Sequence, residues 1–434
     1  MSTTAPVDPG SGVEDPDRIL LELLATPEGR ADPYPRYAAL REGPGTFRSG
    51  LGSWVVTRYA ECQQVLRSPA FGKADGAELP DVGDRRWRSW GVADSEAAEL
   101  VAFFRPRRTI LTMNPPDHTR LRGLVARAFT PSTVEALRPQ IARRCAELLD
   151  ELAQRAAGDA TVDVMQTVAF PLPVTVIGEL LGVPADERRQ FRQLVRATTV
   201  VIEPSATAEQ LRAAMVARLA MEDYFTELIA RRRARPADDL LSQLIAVRDG
   251  SDRLSEQEMV STAILLFAAG FETTTNLIGN GLLALLRHPD QLGALRAGLD
   301  DPAVVARAVE ELLRFDSPVQ LDVRMAHRDA EIAGRPIEAS TPVLTLLGSA
   351  NRDPRRFRHP DTFDIGRDEG PPLSFGAGIH HCLGASLARA EGQVFLAQLL
   401  RRFSTIELRS HDIRPRDSIT LRGLVDLPVG LLAA

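Results

Sequence analysis

The sequence predicts a mainly α-helical fold with a small β part. The first observation is a long run of apolar residues at helical spacing over residues 255–287. The second is the scarcity of strand patterns, which are confined to residues 53–58 and 323–348. No internal repeat or linker divides the chain, so we expect a flexible leader over residues 1–17 and a single domain over residues 18–434.

The long predicted helix has clear ends. Ser255 and Glu258 form an S-x-x-E capping box, and His288-Pro289 stops the apolar pattern. About 30 residues at 1.5 Å each span roughly 45 Å, so this helix crosses a whole domain. Further helices are predicted for residues 302–314 and for the segment that follows Cys382.

Composition narrows the function classes. The net charge is −6 and the sequence pI is about 5.8, which argues against a nucleic-acid or anionic-membrane partner. The longest apolar stretch, residues 263–271, is far shorter than the roughly 20 residues of a membrane span. The three cysteines form no disulfide pattern, which suits a reducing compartment. We therefore expect a soluble, monomeric, cytoplasmic protein.

A glycine-rich loop around Cys382 is the most informative segment. Gly376, Gly378 and Gly384 surround this cysteine, and a helical pattern begins directly after it. Glycines allow a tight backbone whose N–H groups turn inward, and a helix N-terminus adds partial positive charge. Both effects favour the thiolate, which is a metal ligand or a nucleophile.

The other two cysteines have a simpler interpretation. Cys62 and Cys145 lie within helical patterns, where a free cysteine is commonly a small buried apolar residue. For Cys382 the residues alone leave a cysteine hydrolase open, with His380 or His381 as its base.

The loop also fits a known family pattern, F-G-x-G-x-H-x-C-x-G. Its fixed positions are filled by Phe375, Gly376, Gly378, His380, Cys382 and Gly384. This resembles the haem-binding signature of the cytochromes P-450. The resemblance implies haem b between the long central helix and the cysteine loop with its following helix. It also implies iron ligation by Cys382, a shield for the sulfur from Phe375, and a haem propionate near His380.

An acid and a base form an E-x-x-R pair further upstream. Glu311 and Arg314 share one helical face, and such a pair alone is usually a solvated surface feature. The resemblance implies instead that both are buried with an arginine of the loop over residues 351–367, and that together they lock the cysteine loop. The sequence does not say which arginine this is.

Polar residues interrupt the long helix at its middle. Glu272 and Thr273 are costly in an apolar helix unless they have partners, and a kinked core helix is the plain alternative. With Ala269 and Gly270 they resemble the family's A-G-x-[DE]-T motif. This implies that Glu272 and Thr273 are catalytic and manage protons, and that Ala269 faces the haem. The run of three threonines leaves the register open by one residue.

Two cationic donors near a helix start suit a carboxylate. His118 and Arg122 lie at i, i+4 near a helix start, where solvent exposure is the alternative. The resemblance implies that these two residues and Arg324 bind haem propionates.

The resemblance, to the soluble bacterial class, implies a monooxygenase that inserts one oxygen atom from O2 into a lipophilic organic substrate by hydroxylation or epoxidation. Terpenoids, steroids and other natural products fit the mostly apolar predicted pocket walls, which include residues 71–110, 191–202, 264–271 and 319–323. A peroxygenase and a haem-binding sensor are the alternatives, and the Glu272-Thr273 pair disfavours both.

The soluble bacterial class lacks a fused reductase domain, so the resemblance implies that electrons come from NAD(P)H through a ferredoxin and a ferredoxin reductase. A basic docking face is predicted over the cysteine loop. Its candidate residues are Arg143, Arg144, Arg352 and Arg355.

Overall fold

The structure is a computed structural model, and it describes residues 15–74, 93–104, 107–158, 160–204, 206–246 and 253–433. It confirms the mainly helical class with small sheets. The longer helices are α1 (Pro16–Ala25), α3 (Tyr34–Glu42), α4 (Tyr59–Arg67), α5 (Asp94–Phe104), α6 (Asp117–Ala126), α7 (Pro131–Arg155), α8 (Pro171–Leu180), α9 (Phe191–Thr198), α10 (Ala208–Ala234), α11 (Leu240–Ala246), α12 (Glu256–Arg287), α13 (Pro289–Ala297), α14 (Pro302–Phe315) and α16 (Ala385–Arg402). Two short helices are α2 (Pro27–Ala31) and α15 (Leu347–Ala350).

The strands form three small sheets at the edges of the helical body. The largest sheet has the order β1-β2-β8-β5-β3, in which only the β2–β8 pair is parallel. The second sheet has the order β4-β10-β9, and β6 and β7 form a hairpin. The strands are β1 (Thr46–Arg48), β2 (Trp54–Val56), β3 (Phe71–Gly72), β4 (Val162–Asp163), β5 (Leu321–Ala326), β6 (Ala330–Ile332), β7 (Arg335–Ile337), β8 (Pro342–Leu346), β9 (Phe403–Leu408) and β10 (Pro428–Ala433).

The central helix α12 follows the predicted bounds. The Ser255 side chain accepts from the Glu258 N–H at 3.2 Å, and the Glu258 carboxylate accepts from the Ser255 N–H at 2.8 Å. At the other end Pro289 starts α13, because a proline suits the first turn of a new helix better than the interior of an old one. Most of α12 is buried against α8, α10, α14 and α16. Within the described residues, no helix is both long and apolar enough to cross a membrane.

The predicted leader extends two residues too far. Helix α1 begins at Pro16, and the Asp15 side chain caps it by accepting from the Asp17 N–H at 3.0 Å. Its buried residues pack on α3, so the helical pattern starts inside the segment that was predicted to be flexible. Residues 1–14 lie outside the described part of the chain.

A turn over residues 416–422 bonds to several segments that are far apart in the sequence. Arg30, in α2, pairs with Asp417, and Arg422 donates to Asp316 at 2.7 Å. Glu203, which follows α9, accepts from Ser418 and from two backbone N–H groups of the turn. The turn thereby contacts both the first helices and the end of α14.

Candidate active site

The cysteine loop is closed by its own backbone. The Cys382 N–H donates to the Phe375 carbonyl at 2.9 Å, and α16 begins three residues later. Gly376 and Gly378 have φ of +67° and +71°, in the left-handed region that favours glycine. At Gly378 a side chain is also excluded by space, because a Cβ would stand 2.3 Å from the Leu66 carbonyl oxygen.

Cys382 lies in a recess. The residue is exposed, yet the surrounding protein desolvates its sulfur, and this burial raises the pKa of the thiol. The Gly384 N–H and the cations of Arg122 and Arg389 act in the opposite direction and lower that pKa. Cys62 and Cys145 are both fully buried, as their positions in helical patterns predicted.

Glu311 and Arg314 on α14 are buried and fully engaged. Their side chains are 1% and 2% exposed, and they form a bidentate ion pair with N–O distances of 2.6 and 2.8 Å. The third member is Arg367, whose Nε lies 3.2 Å from Glu311 Oε2. The structure thus selects one arginine among those of residues 351–367. We call Glu311, Arg314 and Arg367 the charge lock.

The charge lock holds the long loop before Cys382. Arg314 donates to the carbonyls of Asn351, Pro360 and Thr362 at 2.8–3.2 Å. The Asn351 side chain in turn accepts from the Leu373 N–H at 2.7 Å. The acid and base on α14 are therefore tied by hydrogen bonds to the segment that enters the cysteine loop.

One face of α12 opens at the helix centre. Ala269 is exposed although the helix around it is mostly buried, and Thr273 on the same face is half-buried. The Thr273 hydroxyl donates to the Ala269 carbonyl at 2.7 Å, and the buried Thr274 hydroxyl donates to the Gly270 carbonyl at 2.9 Å. The two neighbouring threonines thus make the same backbone bond, but Thr273 is the one on the side of Ala269.

Glu272 is buried in an ion pair with Arg416 of the turn at 416–422. Burial, together with the cations of Arg196 and Arg192 on α9, lowers the pKa of Arg416 to about 10. Sequence reasoning missed Arg416, because no local spacing connects it to Glu272.

A cluster of nitrogen donors lies beside the cysteine loop. The His118 and His380 rings are 4.3 Å apart, and burial with nearby cations lowers the pKa of both, that of His380 to about 3. Arg324 is 3% exposed, and Arg122 donates to the His381 carbonyl at 2.6 Å. Among the described residues, both nitrogens of His118, Nε2 of His380 and Nε of Arg324 are buried without a hydrogen-bond partner.

Two charged residues of this cluster were not predicted. Asp322 lies two residues before Arg324 on β5 and 2.8 Å from its Nη2, and it also pairs with Lys73. Strand alternation places Asp322 and Arg324 on one face, which is a signal that the sequence contained. Nothing in the sequence pointed to Lys73, which is 249 positions away from Asp322.

Comparison with known proteins decides the family. The sequence model described as Cytochrome P450 matches residues 99–430. Cytochrome P450 107B1 of Saccharopolyspora erythraea is 42% identical, over 94% of this chain and 97% of that protein. This chain belongs to the cytochrome P450 family. Vitamin D(3) 25-hydroxylase of Pseudonocardia autotrophica is 41% identical, over 92% of this chain and 93% of that protein.

The fold agrees with solved structures of the family. A crystal structure of P450BioI in complex with hexadec-9Z-enoic acid ligated acyl carrier protein has a TM-score of 0.83 and 36% identity. It covers 94% of this chain and 99% of that chain. The chain is therefore a cytochrome P450 monooxygenase, a family that implies haem.

The residues around Cys382 fit a haem group. Haem iron takes its equatorial ligands from the porphyrin, so Cys382 alone would suffice as the ligand from the protein. The unpaired donors of His118, His380 and Arg324 match the two haem carboxylates.

Part of the predicted docking face is wrong. Arg352 is 7% exposed, and its guanidinium lies 3.6 Å and 4.0 Å from the ring centroids of Tyr34 and Phe315. Arg144 pairs with Glu147 and Glu179, which offsets its charge. Arg143 and Arg355 are exposed, as the prediction requires.

The predicted pocket walls are described only in part. Trp87 and Trp90 lie outside the described residues. Phe103 and Phe104 pack edge to face, with ring centroids 4.9 Å apart. Val323 is 43% exposed in the middle of β5, so this strand presents an apolar side chain to open space.

Proposed function

We propose that this monooxygenase inserts one oxygen atom from O2 into a lipophilic organic substrate, by hydroxylation or epoxidation. The observation that carries the proposal is an accessible cysteine in a glycine-framed recess beside a cluster of unpaired carboxylate-binding donors. The central helix adds the second half of the site through its opening at Ala269 and Thr273.

Cys382 would hold the haem iron through its thiolate. When bound, the haem supplies the redox chemistry that activates O2. The Gly384 N–H and the nearby arginines favour the charged sulfur. The Arg389 guanidinium packs over the Phe375 ring, with its Cζ 4.5 Å from the ring centroid. This contact holds the Phe375 ring, which would shield the sulfur of Cys382. His118, Arg122, Arg324 and His380 would hold the propionates.

Proton delivery falls to Thr273 and Glu272. A threonine hydroxyl both donates and accepts, so Thr273 can hold a water molecule at the open face of α12 while it remains bonded to the Ala269 carbonyl. Glu272 would relay protons from solvent, because a carboxylate takes up and releases protons. Its ion-pair partner is the Arg416 guanidinium.

The substrate class is inferred from exposed apolar side chains. Val323 on β5 and Ala269 on α12 are exposed within otherwise buried elements, and Ile379 in the cysteine loop is 49% exposed. Such surface favours a lipophilic molecule, for which terpenoids, steroids and other natural products are the first candidates. A cell interior is the proposed setting, since all three cysteines are free.

Electrons are proposed to come from NAD(P)H through a ferredoxin reductase and a ferredoxin. The exposed cations of Arg143 and Arg355 would attract an acidic partner. Association between opposite charges weakens as salt rises. We expect the rate of reduction by ferredoxin to fall steeply between low and high ionic strength, and a rate that is independent of salt would contradict this docking mode.

The decisive experiment is the spectrum of the reduced carbon monoxide complex. We expect the strongly red-shifted Soret band of haem-thiolate proteins in the wild type, in Cys62→Ser and in Cys145→Ser. Cys382→His should lose that band, and a normal band in that variant would overturn the proposal. Substrate-dependent NAD(P)H oxidation would then separate a monooxygenase from a peroxygenase or a sensor.

A further inference from the structure

Asp322 is the acid among the cations beside the cysteine loop. Each of its carboxylate oxygens has one cationic partner: Oδ1 pairs with Lys73, and Oδ2 lies 2.8 Å from Arg324 Nη2. The side chains of Lys73 and Arg324 are 14% and 3% exposed. The three charges therefore interact in a largely desolvated place, where electrostatic effects are much stronger than in water.

Lys73 is held there by its backbone. It follows β3, which pairs with β5, and its N–H donates to Asn114 Oδ1 at 2.8 Å. Asn114 Nδ2 returns a hydrogen bond to the Lys73 carbonyl at 2.8 Å. The preceding Gly72 admits no side chain, because a Cβ would stand 2.2 Å from His327 Nε2. Lys73 is thus part of the built site rather than a surface lysine.

The cluster holds charges of both signs. Lys73, Arg122 and Arg324 are cations, and among the described residues the Asp322 carboxylate pairs with two of them. Haem brings two carboxylates, so these cations attract it and the Asp322 carboxylate opposes that attraction. Lys73 and Asp322 therefore contribute opposite charges to the charge balance around the haem.

We propose that Lys73 and Asp322 set this balance and thereby tune the reduction potential of the haem, with Asp322 as a positioning residue for Lys73 and Arg324. The inference rests on the proposed function, since it requires haem on Cys382. Reduction adds one electron to the iron and leaves one more negative charge on the haem. An additional positive charge nearby therefore raises the potential, and the loss of one lowers it.

The test is a spectroelectrochemical titration of the haem-loaded protein, with dithionite as the reductant. We expect Asp322→Asn to raise the reduction potential and Lys73→Gln to lower it. The double variant should return close to the wild-type potential, because the two charge changes cancel. Lys73→Arg keeps the charge and should leave the potential unshifted.

A distant charge change serves as the control. Asp300 is exposed and pairs with Arg401 near the far end of α16, roughly 25 Å along that helix from the cysteine loop. Asp300→Asn should not move the potential. Shifts of the same sign in Asp322→Asn and Lys73→Gln, or a double variant that stays as far from the wild type as either, would overturn the proposal.

Two further readouts keep the test decisive. If Asp322→Asn does not retain haem, Lys73→Gln and Lys73→Arg decide alone: a lowered potential only in the first supports the proposal, and no shift in either refutes it. The carbon monoxide spectrum is recorded for every variant. If the wild type shows the red-shifted band but the variants have the wild-type reduction potential, the proposal on Lys73 and Asp322 is wrong and the proposed function stands. If the wild type lacks the band, the proposed function is wrong.

Discussion

Two regions are rich in buried polar groups: the charge lock and the cluster of His118, Arg122, Arg324 and His380, which we call the donor cluster. They differ in how far these groups are bonded within the protein. In the charge lock, Glu311 and Arg314 bond to each other and to the carbonyls of the following loop. In the donor cluster, His118 keeps both ring nitrogens unpaired within the described residues. A buried polar group without a partner is costly, so the protein gains from such atoms only when something else binds them. We therefore assign the bonded charges of the charge lock to the stability of the fold and the unbonded donors around His118 to a ligand.

Removing the acid of the charge lock should destabilise the fold. Glu311→Ala leaves the buried Arg314 without its acid, whereas Arg367 keeps Glu369, and breaking a buried pair in this way typically costs about 3–5 kcal/mol. We expect a large drop in melting temperature and expression with little haem. Arg358, which is 89% exposed, offers a matched surface arginine, and Arg358→Ala should have little effect. A wild-type melting temperature in Glu311→Ala would remove the basis for contrasting the two regions.

Glu391 on α16 tests whether unpaired atoms always indicate a ligand. Its Oε2 has no partner among the described residues, and burial raises its pKa to about 8. Because the folded carboxyl keeps its proton where the unfolded one has lost it, stability should fall as pH rises from about 4.5 to about 8. The slope approaches about 1.4 kcal/mol per pH unit.

Glu391→Gln should remove that loss, so the variant gains stability over the wild type as pH increases. Chemical denaturation at pH 5, 6, 7 and 8 measures this gap. We expect this gap to grow as pH rises. Such growth would show that the unpaired Oε2 of Glu391 lowers the stability of the fold and does not bind a ligand. A gap that is constant with pH would contradict the raised pKa.

Two histidines, one with unpaired ring nitrogens and one with a bonded ring nitrogen, test the same contrast at single residues. His118 has unpaired nitrogens, whereas His288 Nδ1 is bonded to the Ala284 carbonyl at 2.7 Å and its ring packs on Phe315. His118→Phe should release haem about tenfold faster, as one charge-assisted hydrogen bond is lost. His288→Phe should lower stability and leave the release rate unchanged. Transfer of haem to apomyoglobin gives both rates, and equal rates would show that the unpaired nitrogens do not contact haem.

The smallest structural change concerns the two threonines of α12. Thr273→Ala and Thr274→Ala each remove one hydrogen bond to the helix backbone, so their effects on stability should be similar and below about 1 kcal/mol. Only Thr273→Ala should divert NAD(P)H electrons into hydrogen peroxide. Product formed per NAD(P)H consumed decides the register: a leak in Thr274→Ala alone would shift the assignment by one residue.

The sequence predicted what local spacing encodes. The capping box fixed the start of α12, the Pro-containing stop fixed its end, and the glycines around Cys382 indicated its loop. Pairings between distant segments were not predictable by these rules. Arg416 meets Glu272 across 144 positions, and Lys73 meets Asp322 across 249. Arg367 could not be told from its neighbouring arginines because only the path of the folded loop brings it to Glu311.

The error at Arg352 has a physical reason. An arginine in a loop dense in charge suggests a solvated surface, but a guanidinium is planar and weakly hydrated, so it also stacks on aromatic rings. Tyr34 and Phe315 supply those rings, and both are remote from Arg352 in the chain. Sequence position alone therefore predicted an exposed cation where the structure has a buried one.

The turn at 416–422 has a consequence for synthesis. Arg30, Glu203, Glu272 and Asp316 all pair with it, and all four precede it in the chain. Because translation proceeds from the N-terminus, each of these charges is made before its partner. A nascent chain that has not yet reached Arg416 therefore carries four unpaired charges from the first helices to α14, and the buried carboxylate of Glu272 gains its cation only after the turn has been made.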